Sequence, residues 1–259
     1  MATSRQALSH RQASPRRVLM LRILIAAILL LIWQAMAMSG LFYQDVVLGL
    51  PDIARGMARL LLDPDFYRNL WITVAEILAA SAIGSLTGLV CGMVLGGSRI
   101  LERAFERYLY YLGPTPKIIF FPLMILWFGV GPGSKVALGA LSCFFPVALA
   151  VAAGMREIPF ILKCVGTSLR ATPLQKTLKI YLPAMRGPVI NGLRMGFGVA
   201  VIGVLLAETK LSNQGLGYLV IQNYQHFDMQ AMYALLIAIF GLAVAANTAL
   251  SHWADPNHR

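Results

Sequence analysis

Charged residues and cysteines are both scarce in this chain of 259 residues. Only 13% of the residues are charged and 58% are hydrophobic, whereas typical soluble domains carry about 25% charged residues. The three cysteines, Cys91, Cys143 and Cys164, lie in or beside apolar segments, and this placement suggests no disulfide framework. The composition argues against a soluble domain and predicts a membrane protein with buried thiols.

Groups that carry out catalysis or hold nucleotides are missing as well. None of the four histidines lies at metal-ligand spacing with cysteines or carboxylates. Neither a Walker A motif nor a glycine-rich dinucleotide fingerprint occurs. We therefore expect no catalytic residue, no metal and no cofactor on this chain, and any ATP and Mg²⁺ that drive it would bind to a partner subunit. An integral membrane enzyme would need a clustered site that the sequence lacks.

Long uncharged runs are what the chain has in abundance. Six of them approach or exceed the length that crosses a bilayer core as a helix. The runs are residues 23–44, 77–98, 118–134, 136–155, 187–207 and 229–254, of which the fifth contains one arginine near an end. We predict an all-α, polytopic membrane protein with six transmembrane helices.

The basic residues predict the orientation of these helices. With both termini in the cytoplasm, segments 1–22, 99–117, 155–194 and 255–259 are cytoplasmic and hold five, four, seven and one of the 22 Lys and Arg residues. This asymmetry follows the positive-inside rule. It also accounts for the net charge of +11 without a nucleic-acid partner. The predicted organisation is a basic tail, a transmembrane domain at 23–254 and a short cytoplasmic C-terminus.

The N-terminus allows a second interpretation. Four arginines, an apolar stretch and Ala35-Met36-Ala37 resemble a secretory signal with its cleavage site. However, the apolar run is longer than a usual signal core, and cleavage would leave five spans with an external N-terminus. We expect the segment to be retained as the first span.

Two features of the second predicted span are open to structural or functional interpretations. Gly84, Gly88, Gly92 and Gly96 recur every four residues, and such a stripe either packs against another helix or lines a solute path. Glu76 lies toward the outer end of the span, where a solvated or hydrogen-bonded carboxylate and a pathway residue both fit.

Three further charged residues fall near the outer surface in this topology. Lys135 and Lys210 are placed in external loops, where two cations are too few to argue for anion selectivity. Glu208 lies at the outer end of the fifth span and is predicted to be interfacial.

A polar, basic segment at 164–183 interrupts this hydrophobic chain. It reads CVGTSLRATPLQKTLKIYLP and contains three cations and no acid. Pro159 and Pro173 predict two short helices, and Leu182-Pro183 is predicted to end the second. Such a surface either docks another protein or binds anionic lipid headgroups.

This segment resembles the EAA loop of ABC-importer permeases, whose pattern is Glu-Ala-Ala, a later Gly and then I-x-L-P. Residues 180–183 match I-x-L-P, and residues 168–172 stand where the family reads T-L-G-A-S. Cys-Val-Gly at 164–166 replaces Glu-Ala-Ala, and an arginine replaces the Gly. The candidate coupling residues are Cys164, Val165, Gly166, Ser168, Leu169, Arg170, Ala171, Thr172, Pro173, Leu182 and Pro183.

The resemblance covers about residues 20–250. FFPLMILWFGVGPGSK at 120–135 and GLGYLVIQNYQHFD at 215–228 are similar to the nitrate, sulfonate and taurine branch of these permeases. The resemblance implies the type I importer fold in a bacterial inner membrane, with the loop at about 155–186 as the coupling helix. It also implies a second permease subunit, two cytoplasmic ABC ATPases and an external binding protein that delivers a sulfonate, taurine, nitrate or a related solute.

The departures from the EAA pattern concern the ATPase contact. The missing Glu removes a carboxylate, and Arg170 adds a long cation where the family has its most flexible residue. Either the partner ATPase carries a compensating acid, or coupling is altered, for example in a heterodimer whose other permease keeps the pattern. The alternative function is a stand-alone secondary transporter or channel, which needs coupling carboxylates in its spans and has one candidate, Glu76.

Overall fold

The computed structural model describes residues 15–40 and 46–254, and every regular element within them is helical. The predicted C-terminal segment and most of the predicted basic tail lie outside these residues. The helices are α1 (Pro15–Met38), α2 (Leu50–Leu62), α3 (Pro64–Gly97), α4 (Arg99–Leu112), α5 (Phe121–Phe128), α6 (Pro132–Glu157), α7 (Phe160–Ser168), α8 (Pro173–Lys176), α9 (Leu182–Ala184), α10 (Arg186–Lys210), α11 (Leu216–Gln225) and α12 (Met229–Ala254). A 3₁₀ turn (Lys117–Phe120) precedes α5, and a π-helical turn (Thr177–Tyr181) joins α8 to α9.

The chain divides within α2 into two compact units, Met1–Arg55 and Gly56–Arg259. In the first unit, two side chains of α1 hold the residues that lead into α2. The Trp33 indole donates to the Leu48 carbonyl at 3.0 Å, and the Gln34 side chain accepts from the Leu50 amide at 2.9 Å. The second unit contains all the residues discussed below.

Five helices of the described residues are long and apolar enough to cross a bilayer, namely α1, α3, α6, α10 and α12. A sixth span requires α4 and the segment Lys117–Phe128 to be counted together, although these two meet at an angle of 94°. The prediction of an all-α membrane protein is therefore confirmed, and the predicted number of six spans is reached when this bent pair is counted as one span.

The third predicted run, 118–134, is nevertheless not one straight helix. Gly129, with φ at +76°, ends α5, and α6 begins at Pro132 because proline is well tolerated in the first turn of a helix. The turn between α5 and α6 therefore lies at residues 129–131.

The core of the second unit is the contact between α3 and α6, which the glycine stripe of α3 makes unusually close. A methyl group added at Gly84, Gly88, Gly92 or Gly96 would stand 2.6–2.8 Å from a carbonyl oxygen of α6. Those oxygens belong to Ala140, Phe144, Ala148 and Ala152, which also repeat every four residues. Two ridges of the same period therefore interlock, and α10 packs on both helices through Ala200, Val201 and Val204.

Candidate functional site

The predicted coupling loop folds as two helical arms joined by a tight turn. The first arm is α7, which starts directly after Pro159. The second arm starts at Pro173 with a capping box, in which Thr172 and Gln175 exchange side-chain to backbone hydrogen bonds at 3.0 and 3.3 Å. The two arms thus begin directly after Pro159 and at Pro173, as the sequence predicted.

The end of the second arm differs from the prediction. Helical structure continues through Leu182 and Pro183 to Ala184, and the break falls at Met185, whose φ and ψ are −107° and 23°. The π-helical turn at Thr177–Tyr181 directly precedes the Leu-Pro pair. Such a widened turn lets the chain carry a proline without ending the helix.

Gly166 is the point at which the two arms touch. It is buried, and a methyl group placed on it would stand 2.9 Å from Cδ1 of Ile180 and 3.3 Å from Cγ of Lys176. The Lys176 ammonium also donates to Oγ1 of Thr167 at 3.3 Å. A glycine in place of the second alanine of the EAA pattern therefore permits a close approach of the arms.

Arg170 lies in the turn between the arms with a left-handed backbone conformation, φ +50°. Its amide donates to the Thr167 carbonyl at 3.0 Å, and the next amide, of Ala171, donates to the Gly166 carbonyl at 3.1 Å. These two bonds form a Schellman motif, whose left-handed position favours glycine because a Cβ atom is strained there. The arginine thus occupies a position with a physical preference for the glycine it replaces.

The tip and the faces of the two arms are strongly exposed. The large apolar side chains with the highest exposed fractions are Phe160 (80%), Leu169 (74%), Ile161 (70%), Leu174 (68%), Leu178 (55%) and Val165 (43%). Ser168, Arg170, Thr172, Pro173 and Pro183 are also exposed, whereas Cys164, Ala171 and Leu182 are half-buried. The candidate coupling residues are therefore at least partly exposed, apart from buried Gly166.

The base of the loop is anchored in the helix bundle. Leu162, Tyr181 and Leu182 pack against a buried cluster that contains Ile158 and Met185. Just before the loop, Arg156 of α6 forms ion pairs with Glu102, at 3.1 Å, and with Glu106 of α4. The base of the loop is thus packed against the bundle beside Arg156, which joins α6 to α4.

At the other end of α6, the described residues bury a second group of polar side chains. Three of them cap the N-terminus of α11, a helix of 10 residues that has no capping side chain of its own. The amides of Gly215, Leu216 and Gly217 donate to Asn69, Thr73 and Glu208 at 2.7, 2.8 and 2.7 Å. Residues of α3 and α10 thereby hold the amides that a helix start leaves without partners.

Charges complete this polar cluster. Lys135 of α6 is fully buried and donates to Glu76 at 3.1 Å and to the Gln214 carbonyl at 3.5 Å. Thr73 donates to Glu208 at 2.7 Å. The ammonium is thus paired with Glu76, whose Oε2 has no hydrogen-bond donor among the described residues, while Glu208 is bonded to Thr73 and the Gly217 amide. Such a buried arrangement is stable only while its members remain paired.

The positions of Lys135 and Glu208 correct two predictions. We expected Lys135 in an external loop and Glu208 at the interface, but their exposed fractions are 0% and 1%. Glu76, for which two roles were open, is 4% exposed and ion-paired. Sequence reasoning missed the cluster as a unit, although Asn69, Thr73 and Glu76 follow the spacing of one helix face.

Within the described residues, neither region contains a cluster of metal-binding side chains. In the part of the chain that the structure describes, no group of three or more His, Cys, Asp or Glu side chains could hold a metal ion. Gly84, Gly88 and Gly92 pack against α6, as described above. The described residues thus form an exposed loop near one end of α6 and a buried, hydrogen-bonded polar cluster near the other.

Comparisons with known proteins agree with this architecture. Residues 84–255 match the family model of the binding-protein-dependent transport system inner membrane component. An ABC transporter permease protein of Haemophilus influenzae, which is named as probable, is 30% identical over 86% of this chain and 90% of its own length. The taurine transport system permease protein TauC of Escherichia coli is 29% identical over 75% of this chain and 72% of its own length.

A solved structure matches the fold. A chain of the MetNI methionine ABC transporter, in an inward-facing conformation, superposes with a TM-score of 0.64 at 21% identity. The match covers 80% of this chain and 98% of the MetNI chain. An ATPase and a substrate-binding protein are accordingly implied as partners, and a stand-alone secondary transporter is not favoured. The chain belongs to the binding-protein-dependent transport system inner membrane component family and is the permease subunit of an ABC importer, with the type I importer fold.

Proposed function

We propose that this permease imports a small sulfonate or related anion across a bacterial inner membrane. An external binding protein delivers the solute, and separate ATPase subunits hydrolyse ATP after docking on the loop at 164–183. The single observation that carries the docking proposal is the exposed surface of this loop. Leu169 and Leu174 at its tip are 74% and 68% exposed, although the base of the loop is packed into the bundle.

The exposed apolar area favours a protein partner over water. Burial of apolar surface is the main favourable contribution in most protein associations, and large exposed patches usually mark interaction sites. Two exposed cations of the loop, Arg170 and Lys179, would be available to the same partner as the leucines, with no acid in the loop to neutralise them. We assign the loop and both termini to the cytoplasm, because the positive-inside rule places the most basic loops there.

Coupling follows from the way in which the loop is anchored. An ATPase that moves the two arms would move α6 through Ile158 and Met185, and α4 through the Arg156 ion pairs. Two permease subunits and two ATPases would form the working importer, so that each ATPase closes on one loop. The resulting motion would be an alternating-access cycle in which packed helices rotate as bodies.

The solute class is proposed from the relatives. TauC is named for taurine, which is itself a sulfonate, and it matches most of this chain. The binding protein would make most of the selection before the solute reaches the permease. Lys135 is paired with Glu76 inside the bundle, so it is not offered as a binding residue for the anion.

The experiment reconstitutes the permease in liposomes with each ABC ATPase encoded in the same genome and with its binding protein. We expect one ATPase to co-purify, and we expect taurine or alkanesulfonate uptake that requires ATP. Uptake by the permease alone without ATP would identify a secondary transporter and contradict the proposal.

The docking surface has a more specific test. Leu174→Ser should reduce ATPase co-purification about tenfold, since a large buried side chain contributes about 1.5–3 kcal/mol. Ile100→Ser is the matched control, because Ile100 is 81% exposed but lies on α4, outside the loop. Equal losses for the two variants would show that the loop is not the docking surface.

A further inference from the structure

The side chain of Arg170 has no internal role in the loop that it occupies. Both hydrogen bonds of the Schellman motif use backbone groups of Arg170 and its neighbours, so a glycine would make them equally well and without the strain of a left-handed Cβ. In the part of the chain that the structure describes, the guanidinium has no hydrogen bond or ion pair. The strained conformation is therefore not explained by any contact of the Arg170 side chain within the described part of the chain.

Two other cations of the loop differ from Arg170 because their side chains have hydrogen-bond partners within the fold. Lys163 donates to the Met155 carbonyl at 3.3 Å, and Lys176 donates to Thr167 at 3.3 Å, so both are engaged within the fold. Arg170 is exposed and stands in the turn between Leu169 and Leu174, the most exposed leucines of the loop. A guanidinium flanked by exposed apolar side chains is a typical composition for the centre of a protein interface.

The charge of the region indicates the chemistry of the partner. No Asp or Glu occurs between Glu157 and Glu208, so the loop has no acid of its own to offer Arg170. A planar guanidinium makes its strongest contacts as paired hydrogen bonds to a carboxylate or a phosphate. Because the implied partner of this loop is an ATPase, the complementary group is a carboxylate on that protein.

We propose that Arg170 is a specificity-determining residue, which binds an Asp or Glu in the docking groove of the ATPase and selects ATPases that carry this acid. The proposal rests on the docking of an ATPase at this loop. It reverses the charge pattern of the EAA loop, since a cation on the permease meets an acid on the ATPase. It also gives a role to an arginine that stands at a position where glycine folds more easily.

The experiment measures binding of the co-purifying ATPase to purified permease in nanodiscs. Arg170→Gly keeps the left-handed turn but removes the guanidinium, and it should weaken ATPase binding at least about tenfold. Arg170→Glu should weaken it further, and high salt should reduce wild-type binding more than that of Arg170→Gly. Lys179→Glu is the matched control, because Lys179 is another exposed cation of the loop, on the second arm; it should have a smaller effect.

A charge swap identifies the partner residue. Each acidic residue of the ATPase docking groove is changed to Arg in turn, and one change should restore binding to Arg170→Glu while weakening binding to the wild type. Unchanged binding of Arg170→Gly, or an equal loss in Lys179→Glu, would overturn the assignment. So would a loss that occurs only in nanodiscs with phosphatidylglycerol, because Arg170 would then bind lipid. If no ATPase binds the wild type, the failure lies instead in the proposed function.

Discussion

The polar cluster around Glu76 and the loop tip around Arg170 both hold charge in a chain that has little of it. In the cluster, Lys135 and Glu208 are 0% and 1% exposed and are bonded to side chains of other helices. At the tip, Arg170 is exposed and its side chain has no partner among the described residues. Charge that is paired internally fixes the position of a helix, whereas charge left unpaired on an anchored loop is available to another subunit.

The largest expected effect comes from a substitution that disrupts the buried polar cluster. Lys135→Met leaves Glu76 buried without its cation, and losing one partner of a buried ion pair costs about 3–5 kcal/mol. We expect a lower midpoint of thermal unfolding in detergent for this variant. Lys210→Met is the control, because Lys210 is exposed and should leave the midpoint unchanged.

A second change completes this test of the cluster. Adding Glu76→Leu to Lys135→Met removes the orphaned carboxylate and should recover part of the lost stability. If Lys135→Met unfolds at the wild-type temperature, the buried ion pair does not stabilise the bundle as argued.

The next effect concerns the helices that connect the two regions. Gly92→Ala places a methyl group 2.6 Å from the Ala148 carbonyl, so α3 must move away from α6 at a cost of about 1–3 kcal/mol. Gly198→Ala is the matched control, because a methyl group at Gly198 meets no atom within 4 Å. Thermal unfolding of both variants measures the difference, and equal midpoints would show that the helices can separate freely.

The smallest expected effect concerns the stability of the loop itself, measured apart from its binding to the ATPase. Arg170→Gly relieves the left-handed strain and should stabilise the turn by about 1 kcal/mol, slowing amide exchange about fivefold. Hydrogen–deuterium exchange of peptides that cover 160–185 is the measurement. Ser168→Gly should have the opposite sign, because it places glycine in the last turn of α7. Faster exchange in Arg170→Gly would contradict the strain that we assign to Arg170.

The apolar runs and the prolines that start helices predicted most of the fold, because both signals depend on residues that are close in sequence. The apolar runs became helices, and the two arms of the loop begin where Pro159 and Pro173 were expected to start them. The exceptions depend on local backbone geometry that composition does not report. Gly129 shortened the third run, and the π-helical turn carried the second arm past Pro183.

The polar cluster was not predictable in the same way. Glu76 and Lys135 are 59 positions apart, and Thr73 and Glu208 are 135 apart, so their pairing depends on how distant helices pack. A charged residue beside an apolar run is usually placed at an interface, and that rule failed for Lys135 and Glu208. The left-handed conformation of Arg170 was also not predictable from the sequence, because an arginine gives no local signal for such a backbone.

The glycine stripe limits how the permease can move. Because four successive turns of α3 lie against carbonyl groups of α6, sliding by one residue would bring a side chain where only hydrogen fits. We therefore expect α3 and α6 to move as one rigid body throughout the transport cycle. The hinges must lie outside this pair, and cross-links between the two helices should leave transport intact.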